Sequence, residues 1–122
     1  MFDIKRLKNS FKYALAGFKQ AFKEEQNLQI HVAISIAVLI LAAVVGVRKW
    51  EAVALILLIT AILILELINT IFEKFSDMLK PRVHTYVKII KDMMAATVLV
   101  AAFGAIIIGI LIFYPYLSGY LK

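Results

Sequence analysis

The chain has 122 residues, of which 63% are hydrophobic, and a formal net charge of +6. Soluble domains contain about 45–50% apolar residues, so this composition excludes an ordinary soluble domain and indicates one membrane-embedded domain. The absence of cysteine excludes disulfides and thiolate metal sites. The basic residues flank apolar runs without any nucleic-acid motif, so we expect them to contact anionic lipid headgroups and expect no nucleic-acid partner.

Residues 1–26 form an amphipathic segment. Its apolar residues recur at spacings of three and four, with lysines on the other faces: Ile4, Leu7, Phe11, Leu15, Phe18 and Phe22. A soluble helix packed on a core would show the same pattern, but this chain has no soluble core to cover. The pattern therefore predicts a helix that lies on the inner membrane surface.

Three long apolar runs follow this segment, over about residues 30–47, 51–72 and 93–117. Crossing the hydrocarbon core takes roughly 20 residues at 1.5 Å each, so each run is long enough to span a membrane. The sequence therefore predicts an all-α integral membrane protein, with a surface helix and three transmembrane helices in a single domain over residues 1–122.

The distribution of basic residues predicts the orientation. Most of them lie before the first run or between the second and third, and only Arg48, Lys49 and Lys122 lie elsewhere. By the positive-inside rule, we expect the N-terminus and the second loop in the cytoplasm and the C-terminus outside.

The second run carries polar residues at its inner end, where charges in hydrocarbon are costly. Glu66, Asn69 and Glu73 are three and four residues apart and share one helical face, and Asp77 follows four residues later. A partly desolvated carboxylate can act as a general base, and one nearer water can hold Mg²⁺ beside phosphate oxygens. The alternative is a solvated helix end, which explains Asp77 well but Glu66 and Asn69 poorly.

Further polar residues are expected on the same side. Glu25 stands before the first run, and Lys91 and Asp92 stand at the entry to the third. A lysine on phosphate and two carboxylates on a metal, Glu25 and Glu73, would suit phosphoryl transfer. Alternatively, Lys91 and Asp92 are a snorkelling anchor and a helix-terminal charge. The sequence has no glycine-rich phosphate loop, so a nucleotide site would be built from helix-borne side chains.

Three segments contain these residues: EEQNLQIH at 24–31, ELINTIFE at 66–73 with Asp77, and VHTYVKIIKD at 83–92. They are similar to the patterns E-x-N-x-x-I-H, E-x-x-N-[ST]-x-x-E-x-x-x-D and H-x-x-x-K-x-x-K-D. Through these patterns, nearly the whole chain resembles the prokaryotic diacylglycerol kinase and undecaprenol kinase family.

The resemblance implies a homotrimeric kinase of the bacterial cell membrane that moves the γ-phosphate of ATP to a lipid hydroxyl. It implies that Glu66 is the catalytic base and that Asn69 positions the reacting groups. It also implies that Glu25 and Glu73 bind Mg²⁺. The nucleotide is expected near a wider set of residues: Tyr13, Glu25, Glu73, Asp77, His84, Lys91 and Asp92.

The lipid acceptor is the least constrained prediction. Residues 24–27 and His84 are more similar to Gram-positive undecaprenol kinases than to proteobacterial diacylglycerol kinases, so we expect undecaprenol, which would give undecaprenyl phosphate. The alternative is diacylglycerol, which would give phosphatidic acid. A more distant alternative is a small oligomeric transporter with Glu66 as its intramembrane carboxylate. A transporter needs access from both sides, whereas the predicted site residues cluster on the inner side.

Overall fold

A computed structural model describes the backbone of residues 2–79 and 84–121 and the side chains of residues 2–79 and 85–119. These residues form four helices, α1 (Ile4–Glu24), α2 (Gln26–Val45), α3 (Lys49–Leu79) and α4 (His84–Leu121). Among the described residues, three helices are long and apolar enough to cross a membrane: α2, α3 and residues 85–119 of α4. The predicted all-α fold with three membrane-spanning helices is confirmed.

Helix α1 has an exposed apolar face. The Asp3 side chain caps its N-terminus by accepting the Arg6 N–H at 3.1 Å. Phe11 on the apolar face is 67% exposed, and Ala21 near the other end is the buried residue of this helix. The structure has a helix within the predicted segment 1–26, and its role as an amphipathic surface helix stays a prediction.

The junction between α1 and α2 is an abrupt break at Glu25, whose backbone is extended (φ −111°, ψ 111°). The Gln29 side chain of α2 donates to the Phe22 carbonyl at 2.7 Å and so satisfies one of the last carbonyls of α1. A salt bridge from Lys74 of α3 to Glu24 joins the same junction to the end of α3. These contacts place Glu25 beside the last turns of α3. We call this end of the bundle the site end.

The opposite end, which we call the far end, contains the tight turn from α2 to α3. Gly46 adopts a left-handed conformation (φ 71°, ψ 55°), which glycine reaches without steric cost. The N–H groups of Gly46 and Val47 both donate to the Ala42 carbonyl, at 3.0 and 3.2 Å. This pairing ends α2 and turns the chain back along itself.

A polar cluster that the sequence did not predict ties the far end together. Glu51 accepts the Arg48 N–H at 3.0 Å, in the reciprocal geometry of a capping box at the start of α3. The same carboxylate accepts a hydrogen bond from the Tyr116 hydroxyl of α4. Glu51 therefore links the turn to the far end of the third spanning helix.

Two helices extend beyond the apolar runs that predicted them. Helix α3 has 31 residues and so is about 46 Å long, which exceeds a hydrocarbon core of about 30 Å. Because its last turns carry charged residues, we expect them to project beyond the core at the site end. Helix α4 begins at His84 instead of near Met93, because residues 84–92 are too polar to register as a span although they remain helical.

A buried apolar cluster lies at the far end, where Ala42, Leu55, Ile112 and Phe113 pack between α2, α3 and α4. We expect Leu55→Ala, at a side chain that is 3% exposed, to lower the free energy of unfolding by about 3 kcal/mol because it leaves a cavity. The matched control is Leu57→Ala, two residues along α3 and 64% exposed, with an expected loss below about 1 kcal/mol. Equal losses in a denaturant titration of detergent-solubilised protein would contradict this packing.

Candidate active site

A polar pocket of about 270 Å³ lies between α2, α3 and α4 toward the site end. Three of its polar side chains come from one face of α3, which are the residues that the helical spacing grouped: Glu66, Asn69 and Glu73. Asn27 and His31 of α2 face them. The wall contributed by α4 is apolar and consists of Ala95, Val98, Leu99 and Ala102. The polar face of α3 therefore points into the bundle.

Glu66 is buried, with 2% of its surface exposed. Its backbone carbonyl accepts the Thr70 hydroxyl at 3.0 Å. The His31 Nε2 atom lies 3.1 Å from Glu66 Oε1 but is not aligned as a hydrogen bond, so within the described part of the chain this oxygen accepts none. A buried carboxylate oxygen without a donor is costly and uncommon in native proteins. Glu66 therefore retains an acceptor site that faces the pocket.

Asn69 lies between Glu66 and Glu73 on the pocket-facing side of α3. It is 8% exposed, and its Nδ2 atom donates to Glu73 Oε1 at 3.3 Å. Because the two residues are one helical turn apart, the amide holds the carboxylate on the pocket side of α3. The structure thus brings together three of the predicted site residues in the order that their spacing indicated.

Glu25 lies against Glu73 at the mouth of the site end. Burial, and then the neighbouring Glu73 charge, raise the pKa of the Glu25 carboxyl above its usual range. A cation between the two carboxylates would relieve this repulsion, and paired carboxylate oxygens suit a hard divalent ion such as Mg²⁺. Across residues 2–79 and 85–119, no three His, Asp or Glu side chains are grouped as metal ligands. Glu25 and Glu73 therefore form only part of a metal site.

Lys91 and Asp77 form a salt bridge between α4 and α3, with 2.8 Å between Lys91 Nζ and Asp77 Oδ1. Both residues were predicted near the nucleotide, with Lys91 on phosphate. The structure places them together at the site end, partly exposed at 30% and 61% of their side chains. A lysine held at this position presents its charge to solvent beside the pocket.

Among the predicted residues with described side chains, Tyr13 and Asp92 do not line the pocket, and neither do Glu25, Asp77 and Lys91. Tyr13 is 72% exposed on α1, and Asp92 pairs with Lys88 one turn away, at 3.2 Å, on the surface of α4. The side chain of His84 lies outside the described residues. The nucleotide roles that the resemblance implied for Tyr13, His84 and Asp92 stay predictions.

Two residues acquire contacts that the sequence did not predict. Lys74 forms a salt bridge with Glu24, and its hydrogen bond is the main reason that the pKa of Glu24 lies below the usual range. His31 lies beside Glu66, although the sequence identified it only as part of a motif. A histidine inside an apolar run is an unusual feature, but its partner on another helix cannot be read from spacing.

An apolar groove of about 280 Å³ adjoins the polar pocket. His31 and Ala102 line both spaces, so the two are neighbours at these residues. From there the groove follows the helices toward the far end, where Phe113 lines it. Its remaining lining is almost wholly apolar: Ile34, Ser35, Val38, Leu41, Leu55, Leu58, Ile59, Ile62, Ala105, Ile106 and Gly109.

Three membrane-length helices and a carboxylate pocket beside an apolar groove define an integral membrane protein with a site suited to an amphiphile. The family model of prokaryotic diacylglycerol kinase matches residues 12–113. The undecaprenol kinase of Bacillus subtilis is 36% identical over 113 residues, which are 93% of this chain and 92% of that protein. The diacylglycerol kinase of Pseudomonas aeruginosa is 30% identical over 112 residues, or 87% of this chain and 91% of that protein.

The diacylglycerol kinase of Synechocystis is 37% identical over 101 residues, which are 82% of this chain and 58% of that longer protein. No solved structure matches the chain significantly. The chain belongs to the prokaryotic diacylglycerol kinase family, as the three polar segments predicted. The prediction of an enzyme of the lipid kinase class is confirmed by this membership, and the relatives carry both acceptor names.

Proposed function

We propose that the protein transfers the γ-phosphate of ATP to the hydroxyl of undecaprenol, with Glu66 as the catalytic base. The observation that carries the proposal is the buried Glu66 carboxylate, which is 2% exposed and lines the polar pocket. His31, which lies beside Glu66, lines both this pocket and the apolar groove. A lipid alcohol has the matching form, because its hydroxyl ends an apolar tail.

The reaction follows from this placement. With the tail in the groove, the lipid hydroxyl reaches Glu66, which accepts its proton as the oxygen attacks the γ-phosphorus. The bond from the γ-phosphorus to the bridging oxygen breaks, and ADP leaves with that electron pair. A positioned general base contributes about 10²–10⁴-fold to the rate of such a step.

The nucleotide belongs at the site end in this proposal. Lys91, held by Asp77, presents a cation there, and Glu25 and Glu73 form the carboxylate pair that would hold Mg²⁺. The ion would neutralise phosphate charge, which is its usual contribution to phosphoryl transfer. Asn69 keeps Glu73 turned into the pocket.

The proposal also includes the orientation and the assembly. The positive-inside rule supports a cytoplasmic N-terminus and site end, where ATP is available, with the C-terminus outside. A homotrimer is supported by the family resemblance and by the surface of α4. Around Gly104 a single chain leaves open space where a side chain would otherwise project, so another helix could approach closely.

Undecaprenol is preferred over diacylglycerol because of residues 24–27 and His84, which are similar to Gram-positive undecaprenol kinases. The long match to the Bacillus subtilis undecaprenol kinase supports the same choice. Diacylglycerol remains the alternative acceptor, since three matched relatives are named for it. Both lipids would place a hydroxyl at Glu66 and differ in the tail that the groove must accept.

We expect Glu66→Gln to lower kcat for lipid phosphorylation by at least about 100-fold, because the amide cannot accept the hydroxyl proton. Glu51→Gln is the matched control, since it neutralises a glutamate of the same helix at the far end, and its kcat should stay within about twofold of native. The measurement is transfer of labelled γ-phosphate in mixed micelles. A Glu66→Gln enzyme as active as the control would exclude Glu66 as the base.

Glu73→Gln should raise the Mg²⁺ concentration needed for half-maximal activity by at least about tenfold, because one of the two paired carboxylates is lost. Titrating Mg²⁺ at fixed ATP tests this. The control is Asp3→Asn, which removes a carboxylate at the start of α1, and its Mg²⁺ curve should match that of the native protein. An unchanged Mg²⁺ requirement in Glu73→Gln would remove Glu73 from the proposed metal site.

The acceptor is tested by offering undecaprenol and diacylglycerol separately to the native enzyme. We expect kcat/KM to be at least about tenfold higher for undecaprenol, a difference of about 1.4 kcal/mol in transition-state binding. A preference for diacylglycerol would contradict undecaprenol as the acceptor but would leave Glu66 as the proposed base. Labelling of neither lipid by folded, assembled protein would overturn the proposed kinase.

A further inference from the structure

We propose that His31 is the positioning residue for Glu66: its Nε2–H holds one carboxylate oxygen and so turns the other toward the lipid hydroxyl. This inference rests on the proposed function, since it assigns the group that makes Glu66 an effective base. It adds a residue on α2 to a site whose predicted base and positioning residue, Glu66 and Asn69, lie on α3.

The geometry places the two side chains within reach of each other. His31 Nε2 lies 3.1 Å from Glu66 Oε1, which is within the usual range for an N–H···O hydrogen bond. The present angle is poor, but catalytic hydrogen bonds are often misaligned without substrate and tighten when it binds. A modest rotation of the imidazole ring would complete the contact.

Two other donors near Glu66 bond elsewhere. The Thr70 hydroxyl donates to the backbone carbonyl of Glu66, and the Asn69 amide donates to Glu73. His31 Nε2 lies at hydrogen-bond distance from Glu66 Oε1, which accepts no hydrogen bond among the described residues. The imidazole can supply the donor when its hydrogen is on Nε2.

The position of His31 also matches this role. It is 21% exposed at its side chain, whereas Glu66 is 2% exposed, and it lines both the polar pocket and the apolar groove. It therefore stands at the junction where the hydroxyl of a lipid alcohol would arrive.

The test compares two substitutions at one position. His31→Leu removes the donor, and we expect kcat to fall about 10–100-fold while the lipid KM stays within about twofold. His31→Gln keeps an amide N–H of similar reach, so its kcat should recover to at least about tenfold above the leucine variant. Thr60→Ala, which removes a hydroxyl bonded to the Ile56 carbonyl elsewhere on α3, is the control and should remain at native activity.

A second measurement does not depend on turnover. In protein labelled with ¹⁵N-histidine, the His31 Nε2 resonance, assigned from its absence in His31→Gln, should shift when Glu66 is replaced by glutamine. No shift, an unchanged kcat in His31→Leu, or equal losses in the leucine and glutamine variants would each overturn the role of His31. These outcomes are distinct from failure of the proposed function, which would appear as an inactive native protein.

Discussion

The burial of one carboxylate, Glu66, is the constraint on which the rest of the structure depends. An acidic side chain within a membrane helix is costly, up to about 3 kcal/mol at the bilayer centre on insertion scales, so Glu66 is expected to face the interior of the bundle. The structure meets this requirement by turning a whole polar face of α3 inward, with Asn69 and Glu73 on successive turns. His31 of α2 lies opposite, and the small residues of α4 leave the space between them open.

The site combines a polar and an apolar environment, and an amphiphilic substrate would need both. The pocket around Glu66 is polar, whereas the adjoining groove is apolar nearly to the far end of the bundle. At the site end, two salt bridges pair cations with carboxylates: Lys74 with Glu24, and Lys91 with Asp77. A lipid alcohol can therefore approach from the membrane while a charged phosphate donor approaches from water. Because α3 is longer than a hydrocarbon core of about 30 Å, the proposed function lets both approaches meet on this one helix.

Hydropathy and helical spacing predicted much of this arrangement, because both act within one helix. The three spans and the shared face of Glu66, Asn69 and Glu73 follow from residues near each other in sequence. The start of α4 was not predicted, because the residues before Met93 are polar and a hydropathy test does not detect their helix. Contacts between helices could not be predicted from the sequence either. The pairing of His31 with Glu66 depends on the relative rotation of α2 and α3, which side-chain packing sets and a single sequence does not display.

The most direct test of the account is to measure ATP binding and phosphate transfer together in proteoliposomes containing a lipid alcohol, using native protein and Glu66→Gln. If Glu66 acts as the base inside an otherwise intact site, the variant will bind MgATP with an affinity close to native and transfer no measurable phosphate to the lipid. If the variant transfers phosphate at the native rate, the buried carboxylate is not the base. If it loses ATP binding as well, Glu66 supports the nucleotide site, and the division of roles along α3 is wrong.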